Sequence, residues 1–220
     1  MTVRILAATA LVLGILAAPA AAATLDPLKP CYVSAGTGDD RREGVDLHGA
    51  GFTPGGMVDI FIDGVPAASG PVDSVGEVGA RVLAPFQREG ERDFTITVAE
   101  RNNPANVVTV TTRVTALRVT LSPREARPTA KVRYRGSGFT ADAPVFAHYL
   151  YAGAVRKTVR LVRRPEACGA FAVRRRQIPV RPRVGNWTVQ IDQQQTYTAT
   201  PSSNWVRMRI KVRRVFVPPA

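Results

Sequence analysis

The sequence is poor in the residues that build most catalytic and metal centres. It has two histidines, His48 and His148, and two cysteines, Cys31 and Cys168. None of the four lies at the short spacing of a zinc site, and neither cysteine has a histidine near it in sequence to activate it. No serine stands in a Gly-x-Ser-x-Gly frame, so a nucleophile elbow is excluded. Beyond residue 23 no apolar run is long enough to span a bilayer as a helix, and no stretch keeps a helical apolar period. These absences argue against an enzyme and imply no cofactor and no metal. What is abundant is turn chemistry: 18 glycines and 17 prolines in 220 residues.

At the N-terminus, Arg4 is the one charge before Asp26. An apolar run, residues 5–16, follows it, and then small residues from Ala17 to Ala23. A positive start, a short apolar core and an Ala-x-Ala exit form the pattern of a secretory signal peptide, residues 1–23. Retention as an uncleaved anchor is the alternative. Either way the chain is read as secreted or cell-envelope associated, with no transmembrane helix after cleavage.

The remaining chain repeats itself. Leu47-His48-Gly49-Ala50-Gly51-Phe52-Thr53 matches Tyr134-Arg135-Gly136-Ser137-Gly138-Phe139-Thr140 at an offset of 87 residues. At that offset Val33 falls on Thr120 and Val58 on Val145. Further on, Phe94–Val98 falls on Trp187–Ile191 at offset 93, and Val107–Val114 on Trp205–Val212 at offset 98. Small steps in offset are what loop insertions produce. Within each copy, short alternating runs such as 58–63 and 205–212 read as strands, and Asp63-Gly64 reads as a hairpin turn. About seven strands per copy predict an all-β chain of two tandem immunoglobulin-like β-sandwiches, residues 24–115 and 116–220. No Gly/Ser run separates them, which predicts a stiff junction. The two glycines of each Gly-x-Gly-Phe-Thr are expected to serve a tight turn between the second and third strands through positive φ, with the Phe closing the sandwich end.

Gly49-Ala50-Gly51-Phe52-Thr53-Pro54-Gly55-Gly56, followed by Val58-Asp59-Ile60, resembles the motif of Ig-like domains in secreted and cell-surface proteins of actinobacteria. The second copy is similar but lacks the Pro-Gly. The resemblance spans roughly residues 31–215 and implies a fold, not an activity. The apo-chromoproteins that carry enediyne antibiotics are more distantly similar, and their paired disulfides are missing.

The few chemical candidates have plain structural readings. His48 and His148 fall at non-equivalent positions, as solvent-facing or packed strand residues. Asp39, Asp40, Glu43, Asp59 and Asp63 could gather near one another, but they lack the oxygen spacing of a calcium loop and read as a solvated acidic face. Asn186-Trp187-Thr188 is a formal glycosylation sequon whose Trp reads as core.

Charge is the strongest functional signal. Residues 24–116 carry eight basic and thirteen acidic side chains, net −5, whereas residues 117–220 carry 21 basic and four acidic, net +17. The basic residues follow strands. Lys131, Arg133 and Arg135 alternate along one, Arg174 and Arg176 along another, and neighbouring strands would merge these five into one face. Arg207, Arg209, Lys211 and Arg213 form a second ladder on the final strand. Solvated arginines in an Arg-rich composition are the bland reading. The functional one is a non-enzymatic envelope or extracellular binding protein whose basic second domain contacts an anionic polymer or lipid head groups. Nucleic acid fits an exported chain poorly. Competing readings are an adhesive module that contacts proteins or self-associates, acidic domain on basic domain, and then a small-molecule carrier.

Two cysteines in an exported chain suggest a disulfide. Strand counting points the other way. Cys31 should open the first strand at the end far from the second domain, and Cys168 should lie in a turn facing the first, about 30 Å apart at ~3.3 Å per strand residue. Pairing within the chain would require the N-terminal segment to fold back toward the junction, or a strand count off by one.

Overall fold

The computed structural model describes residues 22–36, 41–140, 142–202 and 204–213. The expected signal segment, apart from Ala22 and Ala23, lies outside the described residues, as do Asp39 and Asp40. The fold is all-β and comprises two sandwiches.

In the first sandwich, one sheet contains β1 (Thr24–Leu25), β3 (Gly44–Ala50) and β6 (Val78–Leu83), in the order β1-β3-β6. The facing sheet is built from β2 (Tyr32–Ser34), β4 (Met57–Ile62), β5 (Val65–Pro71), β7 (Glu91–Glu100) and β8 (Asn103–Ala116), in the order β2-β8-β7-β4-β5. The second sandwich pairs β9 (Arg118–Ser122), β10 (Lys131–Ser137) and β13 (Phe171–Arg176), in the order β13-β10-β9. Opposite lie β11 (Val145–Tyr151), β12 (Ala154–Val162), β14 (Gly185–Asp192) and β15 (Val206–Val212), in the order β12-β11-β14-β15. In the second copy the first, second and fifth strands share a sheet. In the first copy β1, β3 and β6 take the same places, with β2 as an extra strand in the facing sheet, and this is the immunoglobulin-like arrangement.

Alternation decides which faces meet. Leu47, Ile60, Phe94, Ile96 and Val98 fill the first core, and Tyr134, Tyr149, Trp187, Val189 and Ile191 the second. Each core is sealed at one end by the Phe of its motif, Phe52 or Phe139, both buried. The ladders reproduce the repeat offsets. Ile60 pairs with Val98 and Ile96 with Val110, while Ala147 pairs with Ile191 and Val189 with Met208. The Asp63-Gly64 turn has both residues at positive φ, and Ala152-Gly153 makes the same turn in the second copy.

Three expectations need correction. The first is the glycine pair. Gly51 and Gly138 do take positive φ, at 87° and 79°. Gly49 and Gly136 do not turn the chain. They lie in strands, where a Cβ on Gly49 would meet Leu25 Cδ2 at 2.8 Å and one on Gly136 would run into the Phe171 ring. Their task is close approach, not turning.

The second is the equivalence of Val33 and Thr120. Leu25 pairs with Gly49 as Val119 pairs with Gly136. Leu25 therefore takes the place of Val119, and residues 26–34 are a path the second copy does not repeat.

The third is the separation of the cysteines. After β1 the chain leaves the first sheet, passes Pro27 and Pro30, and joins the other sheet as β2, parallel to the last residues of β8. This return puts Cys31 at the junction, where it is joined to Cys168 with a Cα–Cα distance of 5.3 Å. The fold-back route is the one taken.

The junction itself is short. Leu117 alone separates β8 from β9. Its amide donates to Ser34 O at 2.9 Å, Ser137 Oγ donates to Ala116 O at 2.7 Å, and Arg118 pairs with Glu89 at 2.7 Å. Cys168 lies in a 3₁₀ turn, Ala167–Gly169, whose carbonyl accepts from Gly138 N at 2.9 Å. Gly169 has φ 69°, and a Cβ there would collide with the Phe139 backbone.

Gly153 offers a matched control, with φ 79° and open space around it. Gly169→Ala should therefore destabilise the protein by about 3 kcal/mol or more, and Gly153→Ala by about 1 kcal/mol. Urea unfolding of the two variants compares them directly; equal losses would contradict the close packing at Gly169.

Candidate functional site

The register of the second sandwich gathers five of the nine basic residues singled out in the sequence. Lys131 lies directly opposite Arg176, and Arg133 opposite Arg174. Arg135 follows on the same face of β10, and all five side chains are exposed. Cross-strand neighbours on one face stand ~5 Å apart, and i, i+2 neighbours about 7 Å. The result is a grid of cations on the outer face of the β13-β10-β9 sheet. Among the described residues none of the five has an acidic partner. Arg175, between two of them, points its guanidinium elsewhere, to Leu161 O at 3.1 Å and Arg174 O at 2.9 Å.

The first domain treats its charges differently. Arg101 pairs with Asp59 at 2.6 Å, Arg92 with Asp63 at 2.8 Å, Arg81 with Asp46 at 2.8 Å and Lys29 with Glu43 at 3.0 Å. Arg101 beside Asp59 holds that carboxyl below the usual carboxylate range. Asp59, Asp63 and Glu43 are thus held in separate ion pairs, and no group of three metal-capable side chains occurs among the described residues.

The second ladder is not part of the five-residue face. Arg207, Arg209 and Lys211 lie on β15, opposite Gln190, Thr188 and Asn186. That is the outer face of the other sheet, across the core. Arg207 is engaged internally: its Nε donates to Gln190 Oε1 at 2.8 Å, its Nη2 donates to Ala199 O, and its guanidinium lies 4.7 Å from the Trp205 ring centre. Arg209, Lys211 and Arg213 remain exposed.

Arg207 belongs to a buried polar network that the sequence reading did not find. His148, Gln190 and Asp192 are each 0% exposed. They sit on the outer face of their sheet, covered by the chain segment that links β14 to β15, with Tyr197 edge-on to His148 at 5.7 Å. His148 Nε2 faces Asp192 Oδ1 at 3.2 Å and Gln194 O at 3.0 Å, both acceptors, so it carries the proton. Its Nδ1 meets Thr158 Oγ1 at 2.9 Å. Gln190 Nε2 donates to Asp192 Oδ2 at 2.8 Å and to Thr198 O at 2.8 Å. Burial alone would raise the Asp192 carboxyl, but hydrogen bonds from His148, Gln190 and the Gln194 amide outweigh it and hold the group below its ordinary range. The signal in the sequence was three polar residues, His148, Gln190 and Asp192, on strand positions that face away from the core.

Carboxylate, imidazole and hydroxyl stand in line here, yet every polar atom of the imidazole is engaged and the ring lies under Tyr197. The network fastens the segment between β14 and β15 onto the sheet. His48, in contrast, is an exposed strand residue. Trp187 is core, its Nε1 donating to Arg183 O at 2.9 Å.

No protein-family model matches the sequence, and no curated protein matches it. Among solved structures, the chain is similar to a tetra-tandem repeat in the extending region of a large adhesion protein, with 19% identity and a TM-score of 0.27. The match covers 84% of this chain and 49% of that one, so this chain spans about half its length.

Asp192→Asn should destabilise the second domain by about 2 to 3 kcal/mol at neutral pH, because it weakens the acceptor shared by three donors. The folded carboxyl titrates below its unfolded value of about 3.9, so its contribution is present above that pH and lost as pH falls through the folded value. Urea unfolding at pH 7 and in acid checks both signs. The gap between wild type and variant should narrow in acid; an unchanged gap would remove the carboxylate from the account.

Proposed function

We propose that this protein is a secreted, non-enzymatic binding module of the cell envelope or extracellular space. On this reading residues 24–115 and 116–220 act as two immunoglobulin-like domains after removal of a signal peptide, and the second holds an anionic polymer or a surface of anionic lipid head groups. One observation carries the proposal: Lys131, Arg133, Arg135, Arg174 and Arg176 share an exposed sheet face, two pairs of them directly opposite, with no acidic partner among the described residues. Like charges so placed repel. Salt relieves part of that repulsion, and a chain of repeated anions laid across the face relieves more, releasing counterions as it binds.

Support also comes from the contrast within one chain. Four of the first domain's basic residues, Lys29, Arg81, Arg92 and Arg101, sit in ion pairs with its carboxylates. An Arg-rich composition alone would not gather five cations without acidic partners on one sheet face of one domain. The sealed geometry around His148 favours binding over catalysis.

The test is binding of the mature chain to an acidic polysaccharide and to vesicles containing phosphatidylglycerol, measured across a salt series. Binding should fall steeply with salt. Charge reversal of Arg133, Arg135, Arg174 and Arg176 should abolish it while leaving the fold intact by circular dichroism. Reversal of Arg81 and Arg101 on the first domain should leave it unchanged. Equal losses from both sets, or binding insensitive to salt, would refute the assignment. Concentration-dependent association of the mature chain without any polymer would favour acidic-to-basic self-assembly instead.

A further inference from the structure

The two sandwiches differ at one flank. In the first, residues 26–34 leave one sheet and close the gap to the other, so that β2 pairs in parallel with Val114, Thr115 and Ala116 of β8. The strand brings Tyr32 into the core from the side, 2% exposed and edge-on to Phe94 at 6.2 Å. In the second sandwich the first strand does not cross. β9 pairs with β10 throughout, and β15 is an outermost strand of its sheet. Among the described residues no backbone hydrogen bond joins β15 to β9 or to residues 123–130.

A groove of about 790 Å³ runs along this open flank. Its floor is apolar: Val119 and Leu121 from β9, Ala126, and Met208, Ile210 and Val212 from β15. Those residues face the interior, since Leu121 pairs with the core Tyr134 and Ile210 with the core Trp187. The rim is basic. Arg124, Arg127, Arg209, Lys211 and Arg213 line it against the single carboxylate of Glu125.

We propose that the open edge of β15 accepts an extended acidic segment of a partner protein, added as a parallel strand alongside β15 much as β2 lies alongside β8. Three features select the occupant. The edge, unpaired among the described residues, supplies backbone donors and acceptors for a strand. The apolar floor takes a large side chain inward, as Tyr32 is taken in the first domain. The cationic rim attracts carboxylates at the alternate, outward positions, gives a neutral strand no such attraction and repels a basic one. This surface is distinct from the β10–β13 face and does not depend on it.

A suitable probe is a synthetic heptapeptide with glutamate at alternate positions and tyrosine or valine between them, titrated into the mature chain by fluorescence anisotropy. In a parallel ladder only every second residue of the added strand points both backbone groups at its neighbour. Two further peptides, N-methylated at the odd or at the even residues, therefore separate strand pairing from charge attraction. One methylated peptide should bind about tenfold more weakly or not at all, and the other should match the parent. Arg209→Glu with Lys211→Glu should abolish binding of the parent, while Lys131→Glu with Arg133→Glu should leave it unchanged. Failure of the parent to bind, or an equal response to the two methylation patterns, overturns strand addition without touching the polymer-binding face.

Discussion

The arrangement of this molecule depends on a chain connection with almost no length. β8 ends at Ala116 and β9 begins at Arg118, so Leu117 alone spans the two sandwiches. A single residue hydrogen-bonded at its amide cannot act as a flexible tether. The Cys31–Cys168 bond crosses the same junction, and Arg118–Glu89 adds an exposed ion pair. Two separate attachments restrict rotation more than either does alone. The cross-link also closes a loop of 137 residues, where chain entropy gives stabilisation of up to about 5 kcal/mol.

The same junction accounts for the difference between the domains. The N-terminal segment of the first domain must return to the junction to place Cys31 beside Cys168, and in returning it covers the flank of β8. The second domain has no such return, since its first strand is already tied to the preceding domain at Leu117. One sandwich is thereby closed on a flank that the other leaves open. The charge contrast runs in parallel, with most basic residues of the closed domain held in ion pairs and a face of cations on the open one without acidic partners among the described residues.

Much of this architecture was legible in the sequence. The repeat offsets of 87, 93 and 98 residues reappear as equivalent ladder pairs, because a strand's register is set by which alternate residues are apolar. The grid of Lys131, Arg133, Arg135, Arg174 and Arg176 was legible for the same reason. Legibility failed where alternation carries no information. Residues 26–34 form a proline-marked crossover with only three strand residues, and nothing local tells which sheet β2 will join. Composition does not separate a glycine needed for φ, such as Gly51 or Gly138, from one needed for close approach, such as Gly49 or Gly136. The His148–Asp192 network was missed because outward-facing polar residues read as solvated, whereas the segment between β14 and β15 folds over them. Arg207 alternates like its ladder neighbours, yet it fastens that segment through Gln190 and Ala199.

The position of Cys31 is the point on which the junction, the closed first flank and the fixed pairing of domains all turn. Digestion of the unreduced monomer followed by mass spectrometry tests it most directly. The account predicts one cross-linked peptide containing Cys31 and Cys168 in a monomeric chain; two free thiols in the oxidised protein, or a linkage found only between chains, would contradict it.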